Sequence, residues 1–206
     1  LTVNDGGYVS TKTDAYAVSE TTVNKGGTFN FTELNSRLDG KTEGASDQLR
    51  LAGGMMTLAG GALTVADKAF TGNVQLDGAT LTIKAGEYAA DTFTTQKNAV
   101  KSTLNVSGGQ YTIKTLNAND GTINVTGTGK LVIDTKLSTN SGSAFEISQG
   151  GTVETTAAAL GLKIGATGVT VDSDSTYKNA ISNNGELVLS DLTGISTTKA
   201  YLTDIK

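Results

Sequence analysis

Four carboxylates recur in the C-terminal half at nearly constant spacing: Asp134, Glu154, Asp172 and Asp191 lie 20, 18 and 19 residues apart. If each interval is one turn of a repeating fold, the four would form a column along one edge. Paired carboxylates can cleave sugars by acid–base chemistry, and carboxylate oxygens can bind a hard cation. Each acid, however, follows a strand-like segment, where polar residues are expected, and solvated like charges about 4.8 Å apart repel by only about 1 kcal/mol. We therefore interpret the series as a solvated column, and leave open whether it binds a cation.

Other catalytic chemistry has little support in the residue types. The sequence contains no histidine and no cysteine, which removes the Ser-His-Asp triad, a thiol nucleophile and the commonest metal ligands. The glycine-rich stretches GTG (127–129) and GATG (165–168) lack the lysine and the following helix of a phosphate-binding loop. We predict a non-enzymatic protein with no catalytic residues, no metal site and no cofactor; the residues of any binding site stay unassigned.

Charge and composition exclude further classes of partner. The formal net charge is −4 and the sequence pI is about 4.8, so no basic stripe is available for nucleic acid or for an anionic membrane surface. No window reaches the apolar length of a transmembrane helix, so a membrane-embedded chain is not expected. Since the chain opens at Leu1 without a signal-peptide pattern, we expect it to be a fragment of a longer protein.

The elements that would position these residues repeat along the chain. Short alternating apolar runs flank a glycine corner, as in LNVSGGQYTI (104–113). Similar units are LTVNDGGYVS (1–10), TTVNKGGTFNF (21–31), LRLAGGMMTL (49–58), VQLDGATLTI (74–83), INVTGTGKLVI (123–133), FEISQGGTVET (145–155), LKIGATGVTV (162–171) and ISNNGELVL (181–189), with ALTVADKAF (62–70) as a degenerate tenth.

The spacing of the units indicates the fold. Residues before the corner run Val106, Val125, Ile147, Ile164 and Ile181, at steps of 17 to 22 residues. Those after it run Ile113, Ile133, Val153, Val171 and Leu189, at steps of 18 to 20 residues. A common period is typical of a solenoid, whose coils must return to the same face. We predict an all-β chain, 1–206, forming a single parallel β-helix of nine or ten coils, with right-handed winding. Asp-Gly and Asn-Gly corners leave open an antiparallel β-sandwich or hairpin meander.

Two segments interrupt the period. Residues 32–48 are charged with little β alternation, and residues 85–101 are long and partly compatible with helix. We predict both as loop excursions from a coil, where an insertion costs little. Either could instead be a recognition loop, since solenoids often carry function on loops from one face.

The units TTVNKGGTFNF, LTVNDGGYVS and FEISQGGTVETTA resemble the passenger-region repeats of bacterial autotransporter adhesins. The resemblance implies a right-handed β-helix that is exported across the outer membrane and displayed at the cell surface. It implies an extracellular adhesin or stalk module that could self-associate, and whose partners are a host or neighbouring-cell surface or copies of itself. The alternatives are a self-assembling subunit of a surface layer or filament, and a glycan-binding or glycan-cleaving β-helix.

Overall fold

The computed structural model describes residues 1–11, 15–31, 48–65, 68–96, 100–140, 142–156, 158–160, 162–165, 168–171 and 182–191. All regular structure in these residues is β-strand. The strands in chain order are β1 (Thr2–Val3), β2 (Tyr8–Thr11), β3 (Ala15–Asn24), β4 (Thr28–Phe31), β5 (Gln48–Ala59), β6 (Ala62–Val65), β7 (Lys68–Ala69), β8 (Asn73–Asp77), β9 (Thr80–Ala85), β10 (Glu87–Gln96), β11 (Thr103–Val106), β12 (Gln110–Ala118), β13 (Thr122–Val125), β14 (Lys130–Thr139), β15 (Ala144–Ile147), β16 (Thr152–Thr156), β17 (Leu162–Gly165), β18 (Gly168–Val171), β19 (Ser182–Asn183) and β20 (Glu186–Asp191).

Successive turns of the chain stack as parallel strands in three ladders. The first ladder runs through β1, β3, β5, β9, β11, β13, β15 and β19. The second contains β2, β4 and β6 and, separately, β10, β12, β14, β16 and β20. The third contains parts of β3, β5, β10, β12 and β14 together with β8. The predicted parallel β-solenoid is confirmed; its handedness stays a prediction.

The core is a set of apolar columns inside the ladders. In the first ladder one column is at most 2% exposed at each member: Val3, Val23, Leu58, Ile83, Val106, Val125 and Ile147. Each member lies opposite the next in register, because the alternation of apolar and polar residues has the same phase in each coil. Val, Leu and Ile fill this narrow space, which explains why the chain needs few aromatic residues.

The predicted register is only partly correct after the corner. Ile113 lies opposite Ile133, as predicted, but Ile133 lies opposite Thr155, and Val153 lies opposite Leu131. The third corner is also shifted relative to the predicted unit 49–58. Gly53 and Gly54 lie inside the continuous strand β5, where it passes from the third ladder to the first, and the corner that follows is at 60–61. A glycine pair in the sequence therefore predicts a bend, but it does not show which two ladders the bend connects.

One predicted unit of the stack is wrong. The strands of LKIGATGVTV, β17 and β18, pair antiparallel with each other, with Leu162 opposite Val171. Only two residues separate these strands, which is the connection length of a tight β-hairpin. The predicted units 49–58 and 62–70 belong to one coil, through β5 and β6, and unit 162–171 is not part of the stack. Among the described residues the first ladder therefore has eight strands, where we predicted nine or ten coils.

The predicted loop excursion at 85–101 is also wrong over most of its length. It contains β10 (Glu87–Gln96), which pairs in parallel with β12 and, at its end, with β8. Ala90, Phe93 and Thr95 are buried. The spacing of these inward residues changes from even to odd positions at a bend, and two of them are small or polar. The strand therefore lacks the regular apolar alternation by which a strand is recognised in a sequence. The predicted excursion at 32–48 lies outside the described residues, apart from Gln48 at the start of β5.

The corner at Gly108–Gly109 shows what the glycines provide. Gly109 has φ of 68°, and a Cβ on it would lie 2.3 Å from the carbonyl oxygen of Gly86 in the preceding coil. A Cβ on Gly108 would lie 2.2 Å from the carbonyl oxygen of Lys84. These corners therefore need glycine for the close approach of stacked coils as well as for backbone freedom.

We expect Gly109→Ala to lower the free energy of unfolding by more than Gly6→Ala. Gly6 has φ of 70°, but no atom lies within 4 Å of the position that a Cβ would take there, so it carries the conformational penalty alone, about 1–3 kcal/mol. Urea unfolding of both variants measures the difference. Equal losses would contradict the account of close coil packing at Gly109.

Candidate functional site

The structure does not align the acidic series into one column. Glu154 lies opposite Val132 and Val188 in register, and Asp191 lies opposite Thr156. Asp134 is exposed two residues beyond Val132, at the bend of β14. Asp172 lies outside the described residues. No two described acids of the series therefore lie opposite one another, so they do not form the predicted column.

The nearby carboxylates are instead held by lysines. Glu154 Oε2 lies 2.7 Å from Lys130 Nζ, and Asp91 Oδ1 lies 2.5 Å from Lys114 Nζ. The hydrogen bond and charge of Asp91, with a smaller contribution from Asp134, raise the pKa of Lys114. In the part of the chain that the structure describes, no three carboxylates come together in a group that could hold a metal ion. These pairs are solvated surface contacts, which contribute little to stability.

A regular polar surface lies on the first ladder. Its outward positions on three consecutive coils carry hydroxyl and amide side chains, because the sequences TLT (80–82), TLN (103–105) and TIN (122–124) alternate them with buried leucine and isoleucine. We call this surface the hydroxyl–amide face; it consists of Thr80, Thr82, Thr103, Asn105, Thr122 and Asn124, in two columns aligned by register.

Side-chain hydrogen bonds connect the coils along one of the two columns. Asn124 Nδ2 donates to Asn105 Oδ1 at 2.9 Å, and Asn105 Nδ2 donates to Thr82 Oγ1 at 3.4 Å. Thr82 is 8% exposed, whereas the two asparagines and the threonines at 80, 103 and 122 are half-buried. The face is uncharged, and its groups repeat at the strand spacing of about 4.8 Å. Sequence reasoning missed it, although the repeated T-x-T/N triplets were a readable signal.

The described tyrosines divide between packing and exposure. Tyr111 is buried against Phe93, with ring centroids 5.7 Å apart in an edge-to-face arrangement, and burial raises its pKa. Tyr88 is half-buried; burial raises its pKa, and its hydroxyl donates to the carbonyl oxygen of Gly61 at 2.6 Å. Tyr8 is 56% exposed at the start of β2. Tyr88 and Tyr111 lie opposite each other in register on β10 and β12, whereas Tyr8 lies on β2.

The glycine stretch at 127–129 is a corner between β13 and β14. The Gly129 N–H donates to the carbonyl oxygen of Thr126 at 2.9 Å, so this donor is engaged within the corner. The stretch at 165–168 joins the antiparallel strands β17 and β18. Neither precedes a helix, so the phosphate-loop geometry is absent from these described strands.

Comparisons of this chain with protein-family models, with curated proteins and with solved structures found no match. Among the described residues, no helix has the length and apolarity needed to cross a membrane.

We expect Asn105→Ala to destabilise the chain by about 1–3 kcal/mol, because it removes both hydrogen bonds of the side-chain ladder at about 0.5–1.5 kcal/mol each. The matched control is Asn117→Ala on β12, which removes one long bond of 3.5 Å to Thr94. Urea unfolding compares the two. A loss no greater than that of the control would contradict a stabilising role for the two side-chain hydrogen bonds of Asn105.

Proposed function

We propose that this chain is a non-enzymatic extracellular module of a bacterial cell surface, a stalk of the autotransporter-passenger type, which self-associates through the hydroxyl–amide face. The observation that carries the proposal is the aligned, uncharged polar surface on β9, β11 and β13. The resemblance of the corner repeats to autotransporter passengers supports the location. The stacked solenoid supports a structural role, since its core columns run through consecutive coils.

The chemistry of the face suits a second copy of itself. Each hydroxyl and each amide both donates and accepts hydrogen bonds, so two identical faces can satisfy one another without opposite charges. A two-fold contact would bring the column that contains Asn105 and Asn124 against the same column of the partner. Single contacts of this kind are weak, but many molecules displayed together on two cells would bind by multivalency.

Charge makes a separate contribution to association. The net charge of −4 repels a second copy, while the face itself contains no charged residue. Salt screens this repulsion and leaves the short-range hydrogen bonds and packing largely intact. Association should therefore strengthen as ionic strength rises, opposite to binding driven by charge complementarity.

Sedimentation velocity tests the proposal with two double variants that change charge equally. Thr103→Lys with Thr122→Lys places two cations on the hydroxyl–amide face, and Thr112→Lys with Val132→Lys places two on the outward side of the second ladder. We expect the unmodified chain to dimerise with rising concentration and salt, the first variant to stay monomeric, and the second to dimerise.

Three results would contradict the proposal. The unmodified chain could stay monomeric at every concentration, or the first variant could associate as the unmodified chain does. Open-ended growth into long assemblies would indicate a subunit of a surface layer or filament instead of a stalk.

A further inference from the structure

A hydrogen bond just after the corner recurs between adjacent coils. The carbonyl oxygen of the last corner glycine accepts from the first N–H of the following coil's second-ladder strand, at 2.8–3.0 Å. The pairs are Gly7 with Thr28, Gly27 with Ala62, Gly86 with Gln110, Gly109 with Lys130, Gly129 with Thr152, and Gly151 with Glu186.

The bond is missing between β6 and β10. There the Gly61 carbonyl oxygen accepts from the Tyr88 hydroxyl at 2.6 Å, and the Glu87 N–H has no hydrogen-bond acceptor among the described residues. The cause lies in the chain after β6. It turns back, so that β7 pairs antiparallel with β6 and Phe70 N donates to the Leu63 carbonyl oxygen at 3.1 Å. The second ladder is split at this point.

The split leaves a short free strand edge on β10. The Gly86 carbonyl oxygen accepts a hydrogen bond from β12. In a parallel strand, the backbone groups of successive residues point alternately to the two neighbouring strands. The N–H and C=O groups of Glu87 and Ala89 therefore point away from β12. Within the described part of the chain, no strand pairs with them there. The edge ends at Asp91, whose N–H donates to the Thr71 carbonyl oxygen at 2.9 Å. Two residues of unpaired edge are therefore bounded by the chain's own contacts.

A cavity of about 370 Å³ opens at this edge, and we call it the notch. Its apolar lining includes Leu63, Phe70 and Ala89, and its polar lining includes Gln110 and Glu87, whose carboxylate is exposed. The volume lies within the range of sites that bind ligands. The notch thus combines backbone donors and acceptors at strand spacing, an apolar space and one negative charge.

We propose that the notch binds an extended polypeptide segment as an added strand on β10. The segment's backbone pairs with Glu87 and Ala89 and supplies the coil-to-coil bond that is missing here. Its inward side chain is apolar and lies against Leu63 and Phe70. A basic side chain opposite Glu87 completes the contact, as Lys130 does beside Glu154 elsewhere on the second ladder. The notch is on a different ladder from the hydroxyl–amide face, so the two proposals fail independently.

The probe is the capped pentapeptide Gly-Lys-Leu-Val-Ile, which copies residues 129–133 of the second ladder. Placed in the register of that ladder, its lysine lies opposite Glu87, and its leucine and isoleucine N–H groups face β10. We expect amide NMR shifts centred on Glu87 and Ala89 of the whole chain, and hydrogen exchange at these amides slowed about tenfold at saturation. The same peptide N-methylated at leucine and isoleucine lacks these donors and should not bind.

Two variants locate the binding. Ala89→Phe fills the notch and should abolish the shifts, whereas Val132→Phe, on the outward side of β14, should leave them unchanged; the remaining amide resonances report whether each variant is folded. The proposal is overturned if the peptide causes no shift, if the methylated peptide binds equally well, or if Ala89→Phe binds like the unmodified chain. Shifts caused by N-acetylglucosamine and not by the peptide would overturn the choice of ligand.

Discussion

Each coil stacks closely on the one before it, and at six corners the contact includes a hydrogen bond from the corner to the first strand residue of the next coil. This bond contributes to the register of the stack, and register decides which side chains share a column. The corner glycines permit it, because a Cβ at Gly109 or Gly129 would lie 2.3 and 2.1 Å from a carbonyl oxygen of the coil before. The buried valines and the outward asparagines are aligned as a consequence.

The sequence predicted the fold well where apolar alternation and period agree. Val106, Val125 and Ile147 were predicted to stack, and they do so, because each precedes a corner of the same construction. The prediction failed at LKIGATGVTV, where a similar pattern of apolar residues around a glycine corner forms an antiparallel hairpin of β17 and β18. Local alternation is identical in both arrangements, so only the partner strand distinguishes them. The strand β10 was missed because alanine and threonine occupy several of its inward positions.

The surface was less predictable than the core, because it depends on register to the residue. Asp134 and Glu154 are 20 residues apart, close to one coil, but a displacement of two residues along the strand separates them. The triplets at 80–82, 103–105 and 122–124 were visible in the sequence, and their alignment into a continuous face needed the pairing of β9, β11 and β13. The notch could not be predicted, since it arises from a reversal of the chain after β6 that breaks the regular stack.

Disulfide formation in a chain without other cysteines tests the stacked register most directly. Thr103 and Thr122 lie opposite each other on adjacent coils, about 4.8 Å apart at Cα, which a disulfide can span. Asn105 and Thr112 lie on different ladders in the solenoid, but would face each other in a hairpin centred on Gly108–Gly109. We expect Thr103→Cys with Thr122→Cys to oxidise readily and Asn105→Cys with Thr112→Cys to stay reduced. The reverse pattern would show that the strands around Gly108–Gly109 form a hairpin instead of stacked coils.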